Sequence, residues 1–226
     1  LCMPLVHADL LVAVPQDVLT DYQTLLGGRR VEDVRSYGGD GARRDTVEML
    51  LFQQALKLGG VTEPVQFVAV DSYKRALLEV EQGRIAATAT TIWAADAVDS
   101  KARLSEALIR DGEYVAGFYA LAGNVRVLRA DLVRLREMIV ITNRAWKNDL
   151  ATLDSLRLQK RDYATTFPLM VRMLAGQRGD FIMASFKPSA DMGFDSEGVR
   201  LLPVQGIKVA LPGSRHFLVA SGQAGD

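Results

Sequence analysis

Apolar residues recur along this chain in two rhythms, as short runs of five to eight and as stripes spaced three and four apart. Residues 10–14 form an apolar run ended by Pro15 and read as a buried strand. Residues 18–26 read as a short helix stopped by Gly27 and Gly28. Residues 31–37 alternate loosely and enter a glycine loop at 38–41. A helix is predicted over 43–58, with Val47, Leu51, Ala55 and Leu58 on one face and Gly59 closing it. A strand at 65–70 follows. The next helix is capped by Asp71 or Ser72 and carries Tyr73, Ala76, Leu77 and Val80 on one stripe. Gly83 ends it, and residues 85–92 read as a third strand. Such alternation of strand and helix predicts largely parallel pairing with right-handed crossovers.

Residues 113–122 are apolar and aromatic, and read as a strand leaving one half of the chain and entering the other. Beyond it the alternation returns. Strands are predicted at 138–142, within 156–163 and at 180–186. One intervening helix is marked by Trp146, Leu150 and Leu153. A second is capped by Thr165 or Thr166 and striped by Phe167, Met170, Val171, Leu174 and Ala175. Three tail strands fall at 199–204, 207–211 and 216–220. The spacing of Leu77, Leu78, Gly83, Arg84, Ile85 and Ala86 is repeated by Met173, Leu174, Gly179, Asp180, Phe181 and Ile182. Two lobes of similar plan follow, the first over 9–120 and the second over 121–205, with a tail at 206–226 returning to the first.

Composition narrows the function. Lysine plus arginine equals aspartate plus glutamate at 27 each, which removes the basic excess that a nucleic-acid or anionic-membrane surface needs. No apolar run reaches the roughly 20 residues of a membrane-spanning helix. Residues 1–8 read as the tail of a secretory signal, with Val6 and Ala8 placed for cleavage before Asp9. Cys2, the single cysteine, then lies outside the mature chain, where a lipid-attachment role is the alternative. An exported location is the expectation.

The stretches 43–97 and 139–186, about half the chain, resemble the type II periplasmic binding fold, and in particular the family 3 solute-binding proteins of bacteria. The resemblance rests on the strand and loop from Arg84 to Thr91 and on the run from Met173 to Asp180. It implies a two-lobed α/β protein, each lobe a mostly parallel sheet flanked by helices. It also implies a small polar solute held in an interlobe cleft, at the carboxyl ends of the strands. The implied partner is a membrane permease of an ABC-type uptake system, or a sensor protein, with the chain itself a monomer. The ligand-binding residues expected are Tyr37, Thr90, Thr91, Trp93, Thr142, Thr165, Thr166 and Ser185. Trp93 would offer a flat apolar wall, and the threonines uncharged hydrogen bonds. Asn143 joins Thr142 in the second lobe, where Trp146 reads as a core anchor, and Phe186 follows Ser185.

The chain departs from the family at both charge handles for a free amino acid. Asp96 stands where an arginine would clamp an α-carboxylate, and Ser185 stands where an aspartate would receive an amine. A neutral or cationic polar or aromatic solute is therefore expected. Arg43 and Arg44 open a helix, the end disfavoured for cations, and read as solvated surface residues or as a handle for an anion. No cofactor, metal or catalytic residue is expected, because His216 is the lone histidine after Asp9 and no metal-ligand spacing occurs. The rival readings are a sensory or interaction module and, beyond those, a lyase or cell-wall enzyme on the same fold.

Overall fold

A computed structural model describes residues 9–222. The expected signal segment and Cys2 lie outside them. In chain order the elements open with β1 (Leu10–Pro15), α1 (Gln16–Leu26), α2 (Arg44–Leu58), β2 (Val65–Val70) and α3 (Tyr73–Glu81). They continue with β3 (Ala87–Thr88), β4 (Ile92–Trp93), β5 (Arg103–Leu104), β6 (Val115–Leu121), α4 (Val125–Leu128) and α5 (Leu132–Leu135). Next come β7 (Val140–Thr142), α6 (Lys147–Ser155), β8 (Arg161–Tyr163), α7 (Phe167–Ala175) and β9 (Phe181–Ser185). The last are β10 (Phe194–Ser196), β11 (Val199–Pro203), β12 (Val209–Ala210), β13 (Arg215–His216) and β14 (Leu218–Val219). The chain forms two compact units. Of the described residues, the first comprises 9–92, 97–106 and 216–222, and the second 93–96 and 107–215.

The sheet of the first unit runs β2-β1-β3-β14-β5, and β4 pairs separately with β13. β1 is central, parallel to β2 on one side and to β3 on the other. Its alternation serves two cores. Val12 and Val14 pack with Val18, Tyr22, Leu25, Met49, Leu50 and Phe52 of α1 and α2, while Ala13 packs with Ala76 and Val80 of α3. A strand with a helical layer on each face must be apolar at every position, as the unbroken run in β1 is.

The sheet of the second unit runs β10-β11-β6-β9-β7-β8, with β12 also paired to β6. Phe118, Val140, Phe181 and Met183 feed one core, and Tyr119, Ile141 and Ile182 feed another beneath Met170, Val171 and Leu174 of α7. Both sheets are mixed, which corrects the expectation of mostly parallel sheets. Only β7, β8 and β9 are parallel here, joined through α6 and α7 as crossovers. β6 runs against β9, β11 and β12. β10 and β11 form a hairpin whose turn residues Glu197 and Gly198 sit at φ 50° and 75°.

Two further corrections have physical causes. The predicted face of α2 is the outer one: Leu58 is 90% exposed, and Thr46, Glu48, Met49, Leu50 and Phe52 are buried instead. Apolar residues line both sides of this helix, so periodicity alone selects neither. The third strand is interrupted, pairing at 87–88 and again at 92–93. Between them the Thr91 N–H leaves the ladder for a side chain, described below.

The glycine loop before α2 is tightly specified at one position. Gly41 has φ +75°, and a Cβ there would lie 2.2 Å from the Asp21 carbonyl oxygen. Gly41→Ala should destabilise the protein by about 3 kcal/mol through strain and overlap. Gly38→Ala, whose Cβ meets nothing within 4 Å, should change stability by less than about 0.5 kcal/mol. Urea unfolding of the two variants checks the contrast.

Candidate functional site

Open α/β sheets present ligand sites at the carboxyl ends of their parallel strands, where loops and helix starts leave polar groups in the open. In the first unit that edge holds Thr90 and Thr91, at the end of β3. Both are buried, at 8% and 1% exposure. Thr91 donates its backbone N–H to Glu48 Oε2 and its hydroxyl to Glu48 Oε1, each at 2.8 Å. Glu48, 2% exposed on α2, also accepts from Arg44 at 3.1 Å. A buried carboxylate holds its charge only when such donors replace water. Glu48 thus fixes the Thr90–Thr91 loop and commits the Thr91 hydroxyl hydrogen. Its place one helical turn after Arg44 was the available signal, hidden by the choice of the opposite α2 face.

The two arginines opening α2 are neither solvated nor open to an anion. Arg43 meets Asp17 and Asp21, each at 2.9 Å, and Arg44 meets Asp45 and Glu48. Four carboxylates offset the unfavourable placement of cations at a helix N-terminus. Tyr37 is turned to α2 and donates its hydroxyl to Gln54 Oε1 at 2.9 Å.

In the second unit β7 and β8 end side by side, with Thr142 opposite Tyr163. Thr142 is buried, and its carbonyl accepts from the Ala164 N–H. Asn143 bridges the two loops beyond: its amide donates to the Thr165 carbonyl and accepts from the Ala145 N–H, both at 2.8 Å. Thr166 caps α7 by accepting from the Leu169 N–H. Thr165 is exposed beside it. Thr142, Asn143, Thr165 and Thr166 therefore converge on one edge. Trp146 is partly buried at the start of α6 and packs on the α7 core.

The same end of this sheet carries a second cluster, because β6 starts where β9 finishes. The Ser185 and Tyr114 hydroxyls lie 2.6 Å apart. Tyr114 meets Trp93 edge-on at 5.0 Å between centroids, and the Arg215 guanidinium lies 4.6 Å over the Trp93 ring. Trp93 is 4% exposed, so its indole is packed on both sides and is no open wall. Sequence reasoning missed Tyr114 and Arg215, which lie far from Trp93 in the chain. Phe186 covers Gly117, where a Cβ would come within 2.7 Å of its ring. Asp96 is turned inward and faces Lys147 at 3.9 Å. A cavity of about 680 Å³ opens at the opposite end of the sheet, near Asn124, Arg126, Ile139 and Asp180. None of the expected ligand residues lines it.

The described residues contain no cluster of three or more histidine, cysteine or acidic side chains that could hold a metal ion. Among them, no helix is long and apolar enough to cross a membrane.

No family model and no curated protein matches the chain. Solved structures do. An arginine transport-system periplasmic binding protein from Legionella pneumophila superposes with a TM-score of 0.62 at 9% identity, over 95% of this chain and 87% of that one. The periplasmic VFT2 domain of BvgS from Bordetella pertussis does so at 0.60 and 14% identity, over 96% and 83%. The chain has the type II periplasmic-binding-protein fold. An amino acid ABC transporter substrate-binding protein from Streptococcus pneumoniae, solved with L-arginine, matches at 0.59 and 13% identity, over 77% of this chain and 70% of its own. Across these type II structures the shared property is the path of the chain.

Removing the Glu48 carboxylate strands two buried donors on Thr91. Glu48→Ala should cost on the order of 3 kcal/mol, and Glu48→Gln, which keeps one acceptor, less. Urea unfolding gives the cost. Amide exchange at Thr91 should accelerate in both variants, and an unchanged rate would show that Glu48 does not hold this loop.

Proposed function

We propose that this chain is an exported solute-binding protein that captures a small polar solute at the carboxyl ends of its sheet strands, in the service of an ABC-type uptake system. The observation that carries the reading is the edge of β7 and β8. There Asn143 pins two loops and leaves the exposed Thr165 beside Thr166 at the start of α7. Hydroxyl and amide groups held by a packed scaffold suit recognition of a polar solute with little reorganisation on binding. The type II fold supports the same reading, since proteins solved with it include a transporter's substrate-binding protein holding L-arginine. Of the expected contacts, Thr165 and Thr166 are the best placed, with Thr142 and Asn143 behind them. Thr90, Thr91 and Trp93 act chiefly as supports. The expected partner is a membrane permease.

The test is a thermal-shift panel of the protein with amino acids, polyamines, sugars and carboxylates. A bound solute at a hundredfold excess over its Kd adds about 2.7 kcal/mol to the folded state. At least one solute should raise the melting temperature. Thr165→Ala should remove or reduce that rise without moving the ligand-free transition. Thr166→Ala should also lower the ligand-free stability by about 1 kcal/mol, through loss of the α7 cap. A panel in which nothing shifts would overturn the solute-binding reading.

A further inference from the structure

Arg144 follows Asn143 at the carboxyl end of β7, and its side chain is the one charged group of that loop not taken up by a structural role. Its guanidinium carbon lies 3.8 Å from the ring centroid of Tyr163, the last residue of the neighbouring strand β8. The residue is exposed. Among the described residues no carboxylate pairs with it. The nearby cations differ: Lys147 faces Asp96, Arg161 is paired with Asp154, and Arg178 with Asp162.

Two features prepare this guanidinium for a ligand. The backbone on either side of Arg144 is fixed, because Asn143 bonds both to the Thr165 carbonyl and to the Ala145 N–H. The ring of Tyr163 lies against the guanidinium, and this contact removes part of the rotamer entropy that a free arginine loses on binding. Among the described residues no hydrogen bond or ion pair uses the guanidinium N–H groups, which stay available to a ligand. Those donors form the fork that matches the two oxygens of a carboxylate. The hydroxyls of Thr165 and Thr166 lie on the adjoining loop.

We propose that Arg144, seated on Tyr163, is the specificity-determining residue of this edge and that the captured solute is an anion bound through a carboxylate. The proposal deepens the solute-binding reading and rests on it. It also reverses the charge expected from the residues at Asp96 and Ser185. The guanidinium that decides the charge sits at the end of β7, away from both.

Isothermal titration of the whole chain with succinate, inorganic phosphate, putrescine and D-glucose tests it. Succinate should bind, Arg144→Ala should weaken it at least tenfold, and Arg144→Lys should weaken it less. Tyr163→Leu should weaken it to a smaller degree by releasing the side chain that rests on the ring. The ligand-free melting temperature of Arg144→Ala should be unchanged, which separates lost binding from lost folding. Succinate binding that survives Arg144→Ala intact would overturn the proposal. Phosphate binding without succinate binding would overturn the carboxylate assignment. If putrescine or glucose binds and neither anion does, the anion proposal falls while solute capture stands. If nothing in this set or the wider thermal-shift panel binds, both fall together.

Discussion

Central strands clad on both faces impose the constraint from which the rest of this structure follows. β1 sends Val12 and Val14 to one core and Ala13 to another, and the 118–120, 140–141 and 181–183 stretches divide their side chains in the same way. Strands of this kind leave no face for polar chemistry. Polar side chains collect where the strands end, and there they first satisfy the backbone and only then have groups to spare for a ligand.

That order of demands explains the division of labour among the threonines. Thr91 has both its donors taken by Glu48, and the Thr88 hydroxyl accepts the Leu218 N–H at 3.1 Å, fastening the tail strand to β3. Thr166 accepts the Leu169 N–H at the α7 cap and has only its hydroxyl hydrogen to spare. Thr165, whose carbonyl alone is used by Asn143, keeps its hydroxyl for the surface. Arginines sort by the same logic. Arg43 and Arg44 are enclosed by carboxylates, Arg215 is buried over an indole, and Arg144 rests on an aromatic ring facing water.

Much of the element order was legible from local pattern. β2 begins and ends where its apolar run does, Ser72 caps α3, Thr166 caps α7, and the stripe of α3 packs as its spacing requires. The short elements were not. α4, α5, β5 and β10 are each two to four residues long, too brief for a period to show. The covered face of α2 has no local signature, because both its sides are apolar and only the position of α1 and β1 decides which is covered.

The amino-acid sequence by itself determined the alternating α/β plan, the helix caps and the turn positions, because these depend on residues within one or two turns of each other. Tertiary structure decided the rest. Glu48 and Thr91 meet across 43 positions, Tyr114 and Ser185 across 71, and Arg144 finds Tyr163 only once β7 and β8 lie parallel. Strand direction belongs to the same class, since a run of apolar residues is equally content in either orientation. Whether a threonine or an arginine is a support or a contact depends on which partner the folded chain delivers to it, and local spacing carries no record of that.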